Sequence, residues 1–160
     1  ADTGMRLAEG AGLLRTDFTR QDGVLCVTIR PHRWRSLKTK SSARVIPLIG
    51  SAKWAAEQIL DQIFESTFAF PTYNYKKRTN ANSASASLNK WLKGRIGQTF
   101  SIHSFRHSMR DRLREVDCPS EVIDQIGGWA RSGVGDSYGE GYSLSKMHNY
   151  LEKITFSLNG

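Results

Sequence analysis

A chain of 160 residues, 39% hydrophobic and 24% charged, has room for one domain around one hydrophobic core. Its mean hydropathy is −0.46, and no apolar run approaches the roughly 18–20 residues that cross a bilayer as a helix, which excludes a helical membrane protein. The formal net charge of +8 favours an anionic partner and fits a nucleic-acid binder. Residues 1–6 carry no basic stretch followed by an apolar run and do not read as a signal peptide. Cys26 and Cys118 are too few and too far apart in sequence for a disulfide framework or a zinc site. A cytoplasmic location, where thiols stay reduced, is expected.

In chain order, residues 4–14 read as a helix. A short strand near Phe18 follows, then the turn pair Asp22-Gly23, then a strand over 24–29 rich in β-branched residues. A basic connector, 30–43, leads to a second clear strand over 44–48, closed by Pro47, which cannot donate to a ladder. Helical stretches come next: 51–64, capped by Ser51, with Ala55, Ile59 and Ile63 on one face and Trp54 nearby; 83–94, with Leu88, Trp91 and Leu92 inward; 104–116; 119 or 120 to about 126; and 143–154. Residues 65–79 form a long connection carrying Phe68, Phe70, Tyr73 and Tyr75. Gly127-Gly128 ends one helix, and residues 133–141 are rich in glycine. The expected fold class is mainly α with a small antiparallel β-sheet of three strands in the N-terminal third.

The positive charge is clustered. Arg30, His32, Arg33, Arg35, Lys38, Lys40 and Arg44 crowd the connector and the start of the second strand; Lys76, Lys77 and Arg78 form a second group, and Arg106, Arg110, Arg112 and Arg114 a third. Three such groups on one chain suit phosphate binding. Four local patterns lie among them. In Thr3-Gly4-Met5-Arg6-Leu7-Ala8-Glu9, an arginine on a first helical turn can be held rigid by a glutamate three residues on. In His103-Ser104-Phe105-Arg106, the histidine and arginine share a helix face and can grip one phosphate, the arginine through its planar fork. Gly127-Gly128-Trp129 offers a single indole donor on a large apolar body. Tyr138 is flanked by Gly133, Gly135 and Gly139, which suits a side chain delivered to a site rather than buried. Each pattern alone has a plain structural reading: a surface ion pair, a capping histidine, a core tryptophan, a packed tyrosine. Their order is what carries weight.

That order resembles the tyrosine recombinases, the family of phage integrases and site-specific recombinases. Their pattern is an arginine, a lysine in a β-hairpin, a His-x-x-Arg pair, a histidine or tryptophan, and then a tyrosine. Arg6, Lys38 (or Lys40), His103, Arg106, Trp129 and Tyr138 match it across essentially the whole chain. The stretches 82–92 and 138–142 also look like phage and genomic-island integrases. The resemblance implies a site-specific recombinase in which Tyr138 attacks the scissile phosphate, leaving a 3′-phosphotyrosyl link and a free 5′-hydroxyl. Arg6 and Arg106 clamp the non-bridging oxygens, and His103 is the acid–base partner or a further donor. Trp129 donates where other members place a histidine. Lys38, which precedes Thr39 as the family lysine precedes a polar turn, is preferred over Lys40 as acid for the leaving oxygen. Tyr142 is the rival nucleophile, and His107 is read as structural.

The ester stores the energy of the broken bond, so neither cofactor nor metal is expected, and no acidic cluster for magnesium and no P-loop pattern occurs. The expected partner is double-stranded DNA at attachment sites, bound by a homotetramer, with the helix over 143–154 packing either on a neighbour or on its own chain. One catalytic domain, 1–160, is expected, truncated ahead of Arg6 by comparison with the family. A non-enzymatic DNA-binding module and a type IB topoisomerase are the competing readings.

Overall fold

The structure, a computed structural model, describes residues 2–62, 66–75, 78–97, 99–130 and 141–155. The first helix, α1, covers only Leu7–Ala11, much shorter than the expected 4–14. Gly4 holds a left-handed φ of 58°, which no helix interior takes, and Gly12 ends the helix so that Leu13 can drop into the core. A 3-10 turn, Arg15–Asp17, then starts with the Leu14 N–H donating to the Asp17 carboxylate at 2.9 Å.

Three antiparallel strands follow: β1 Phe18–Gln21, β2 Val24–Ile29 and β3 Arg44–Pro47, in the order β1-β2-β3. Asp22 and Gly23, with φ of 51° and 80°, make the two-residue hairpin turn whose twist matches the strands it joins. β2 is central, and Leu25, Cys26, Val27 and Ile29 are all buried. Pro47 lies on edge strand β3, where its missing N–H is tolerated. Both cysteines are buried free thiols.

Helix α2, Gly50–Asp61, begins one residue before the expected start, and Ser51 does not cap it; the Ser51 hydroxyl instead donates to Asp2 at 2.6 Å. The helix stops where Gln62 turns extended, short of the expected 64. Its inner stripe runs through Ala52, Ala56 and Ile59 rather than through Ala55, Ile63 lies outside the described residues, and Trp54 is 61% exposed. The aromatic connection contains structure that was not expected: a 3-10 turn, Pro71–Tyr73, and a small hairpin of β4 Asn74–Tyr75 and β5 Arg78–Thr79.

Helix α3, Ala81–Ile96, is capped by Asn80, whose side chain accepts the Ser83 N–H at 3.0 Å. Ala84 and Leu92 are buried, whereas Trp91, expected inward, is 58% exposed. The inward stripe passes through Ala84, Leu88 and Leu92 at four-residue steps, and Trp91 falls at its edge. Helix α4, Ser104–Glu115, buries Arg106, Met109 and Leu113; α5, Ser120–Gly127, ends on Gly128 in a left-handed conformation. Helix α6, Leu144–Lys153, is capped by the Ser143 hydroxyl. It lies against β3 of its own chain, with Met147, Leu151 and Ile154 in the core. Among the described residues no helix is long and apolar enough to cross a membrane.

Candidate active site

The site is built outward from a buried carboxylate. Glu9 is 3% exposed and sits between two arginines. Its Oε1 accepts from Arg6 Nη1 at 2.7 Å, and its Oε2 accepts from the Arg6 backbone N–H and from Arg44 Nη2, both at 2.9 Å. The three-residue spacing of Arg6 and Glu9 at the start of α1 is what allows these local bonds. Burial pushes the Glu9 carboxyl up, but the Arg44 charge and the bonds from Arg44 and Arg6 outweigh it and hold the group below its ordinary value.

In sequence Arg44 is one member of the basic cluster over 30–44 that suits phosphate binding. It is a buried cation instead, with Nε on the Ile126 carbonyl at 2.8 Å and Nη1 on the Ser42 carbonyl at 2.6 Å. Arg35 of the same cluster is buried too. A visible sign for Arg44 is a charge opening a strand that is otherwise apolar. No local pattern in the sequence marks Ser42. Its hydroxyl accepts from Arg6 Nη1 at 2.9 Å and lies 2.9 Å from the Thr39 hydroxyl, so the loop that carries Lys38 is tied to Arg6.

The second half of the site comes from α4. His103 precedes the helix and Arg106 follows one turn on. Arg106 is 5% exposed. Its Nη1 donates to the Gly4 and Gly127 carbonyls, while its buried Nη2 makes no hydrogen bond among the described residues. Burial, with Arg6 and Arg44 nearby, pulls its pKa down to about 10, which still leaves it charged near neutrality. Its Cζ lies 4.1 Å from the centroid of the Trp129 ring, and Arg110 lies 4.8 Å from the same ring. Exposed His103 meets His107 edge to face at 4.9 Å. Burial and then the charges of His107, Arg106, Arg6 and Lys38 push the His103 imidazole below its ordinary value.

Arg6, Lys38, His103, Arg106 and Trp129 therefore come together. Lys38 lies in the exposed loop before the 3-10 turn Lys40–Ser42, which Lys40 opens. Tyr138 lies outside the described residues. The rival Tyr142 is half-buried against the core, with Lys146 Nζ 4.3 Å from its ring centroid. A cleft of about 340 Å³ runs beside Arg6 and Arg106, walled by Met5, Leu7, Phe70 and Phe105. No group of three His, Cys, Asp or Glu among the described residues could hold a metal ion.

Gly127 is what lets Trp129 reach Arg106. A Cβ there would lie 1.7 Å from a ring carbon of Trp129. Gly127→Ala should therefore displace the ring and destabilise the fold by about 1–3 kcal/mol. Thermal melts and tryptophan emission check this, and an unchanged spectrum with an unchanged melt would refute it.

The cations gathered beside this cleft, among them Arg106 with a buried Nη2 that has no partner among the described residues, suit an anionic ligand. The Phage integrase family model matches residues 1–140, and the chain belongs to that family. Membership supports tyrosine recombinase or integrase activity, with DNA recombination sites as the partner. No curated protein and no solved structure matches the chain.

Proposed function

We propose that the chain is the site-specific recombinase of a phage or genomic island, and that it cuts and rejoins DNA through a covalent bond to Tyr138. The observation that carries this reading is the buried Nη2 of Arg106, which has no hydrogen-bond partner among the described residues and lies beside Arg6, Lys38 and His103. An unpaired buried guanidinium nitrogen costs stability unless a ligand completes it, and a phosphate oxygen does so with a charge-assisted bond.

The phenol oxygen of Tyr138 attacks phosphorus as the bond from phosphorus to the 5′ oxygen breaks. The phenolic proton passes to His103, which is suited to accept it because burial and then its charged neighbours favour its neutral form. Lys38 gives a proton to the departing 5′ oxygen. Arg6 and Arg106 meet the charge that grows on the non-bridging oxygens, usually the largest contribution to catalysis. The Trp129 ring lies under the Arg106 guanidinium and holds it by a cation–π contact. One phosphodiester replaces another, so the reverse reaction rejoins the strand without an outside energy source. A tetramer on two attachment sites, each subunit keeping its own α6, is the assembly that fits this chemistry.

Covalent capture tests the assignment. The chain is incubated with a library of nicked duplexes of randomised sequence, and strands that stay linked to protein in denaturant are recovered. The parent is expected to give such adducts, and Tyr138→Phe to give none while still binding DNA. Adducts from Tyr138→Phe would end the assignment, and a parent that only binds is a DNA-binding module. The His103 midpoint, followed by NMR, should fall below its ordinary 6.5. The acid limb of adduct formation should follow it, because protonation removes the acceptor; a midpoint above 6.5 would contradict that role.

A further inference from the structure

The side-chain amide of Gln125 directs both of its ends at one residue. Its Nε2 donates to the Tyr142 carbonyl at 2.9 Å, and its Oε1 accepts the Tyr142 N–H at 2.8 Å. This is the pattern of one rung of an antiparallel ladder, with a side chain in place of a strand. The approach requires Gly141, which holds a φ of 77° and whose Cβ, if present, would lie 2.8 Å from Gln125 Oε1. One residue earlier in α5, the Asp124 carbonyl accepts the Trp129 N–H at 3.0 Å. Adjacent residues of one helical turn thus hold the chain at Trp129 and at Tyr142, on either side of the segment that contains Tyr138. Helix α6 does not depend on this clamp, because Met147, Leu151 and Ile154 bury it and Ser143 caps it.

The geometry points to Gln125 as a positioning residue for strand cleavage: with Gly141 it pins the main chain at Tyr142 and so limits where Tyr138 can stand relative to Arg6 and Arg106. This rests on Tyr138 being the nucleophile. Without the clamp the nearest fixed point after Tyr138 moves from Tyr142 to the Ser143 cap of α6. The entropy of closing a somewhat longer loop changes little, but a nucleophile misplaced by about 1 Å can lose on the order of a hundredfold in rate. The phosphate-binding cations sit on other elements, so binding and cleavage should separate.

Single-turnover adduct formation at saturating DNA, using a nicked duplex recovered in the covalent capture, is measured beside the affinity for that duplex. Gln125→Leu keeps the bulk and removes both bonds to Tyr142; Gln125→Glu keeps the acceptor and loses the donor. The rate should fall roughly ten- to a hundredfold for Gln125→Leu and less for Gln125→Glu, with Kd unchanged in both. Gly141→Ala disturbs the same contact from the other side and should show the same split. An undiminished rate in Gln125→Leu and Gly141→Ala, or a rate loss matched by an equal loss of affinity, overturns the proposal. Tyr138→Phe separates the two readings. Adducts persisting in that variant remove the nucleophile itself, whereas adducts lost there but undiminished in Gln125→Leu remove only the positioning role.

Discussion

Arg106→Lys should slow adduct formation by about 10²- to 10³-fold, the usual loss when one preorganised donor to a reacting oxyanion is removed. Arginine performs two tasks here that an ammonium cannot combine. Its Nη1 is committed to the Gly4 and Gly127 carbonyls, which fixes the plane of the fork, and Nη2 is left over for a ligand. A lysine can satisfy a carbonyl or reach a phosphate, but it has no rigid fork with which to do both. It also offers no flat face to Trp129, which now stacks 4.1 Å away. Stability should fall as well, by about 1–3 kcal/mol, because a buried carbonyl loses its donor. Cleavage rates on the nicked duplex and thermal melts read the two effects separately. A variant that cleaves at the parental rate would show that the free nitrogen is not the one that meets the phosphate.

Glu9→Gln should cost about 3–5 kcal/mol, because breaking a buried ion pair from one side strands the other charge. Arg44 is that charge: its side chain is 4% exposed, and its bonds to the Ile126 and Ser42 carbonyls leave Glu9 as its carboxylate partner. The same carboxylate carries a pH dependence. Burial raises its pKa, but Arg44 and the hydrogen bonds lower it further, so the folded value lies below the ordinary 4.5. A group depressed on folding contributes its stability above the unfolded value and loses it as pH falls through the folded one. Acid unfolding should therefore draw on Glu9 below about pH 4.5, and in Glu9→Gln that part of the acid limb should flatten. Chemical denaturation of both chains from neutral pH downward gives the comparison, and parallel acid limbs would rule the contribution out.

Local signals carried the parts of this fold that local forces decide. The strand over 24–29 is β2 to the residue, because β-branched side chains and the Asp22-Gly23 turn agree on it. The ends of α5 follow from Pro119 and Gly128. Helix α1 is shorter than its sequence suggests because its length is decided by where Leu13 must be buried and by the positive φ of Gly4. Trp91 is exposed against expectation because composition marks it as apolar but does not say that it lies at the rim of the stripe. At the site, Arg6 with Glu9 and His103 with Arg106 were legible because each pair is three residues apart. Arg44 was not. Its partner carbonyl at Ile126 is 82 residues away, and nothing in the neighbourhood of Arg44 foretells that contact.

Helix α6 has a bearing on how the chain is made. Met147, Leu151 and Ile154 close the core over β3, Arg44–Pro47, roughly a hundred positions earlier. During translation the sheet leaves the ribosome well before the helix that covers it, and at about 5–20 residues per second the interval lasts seconds. Throughout that time β3 lacks the cover that α6 gives it, and apolar surface exposed at that stage is what a holding chaperone binds.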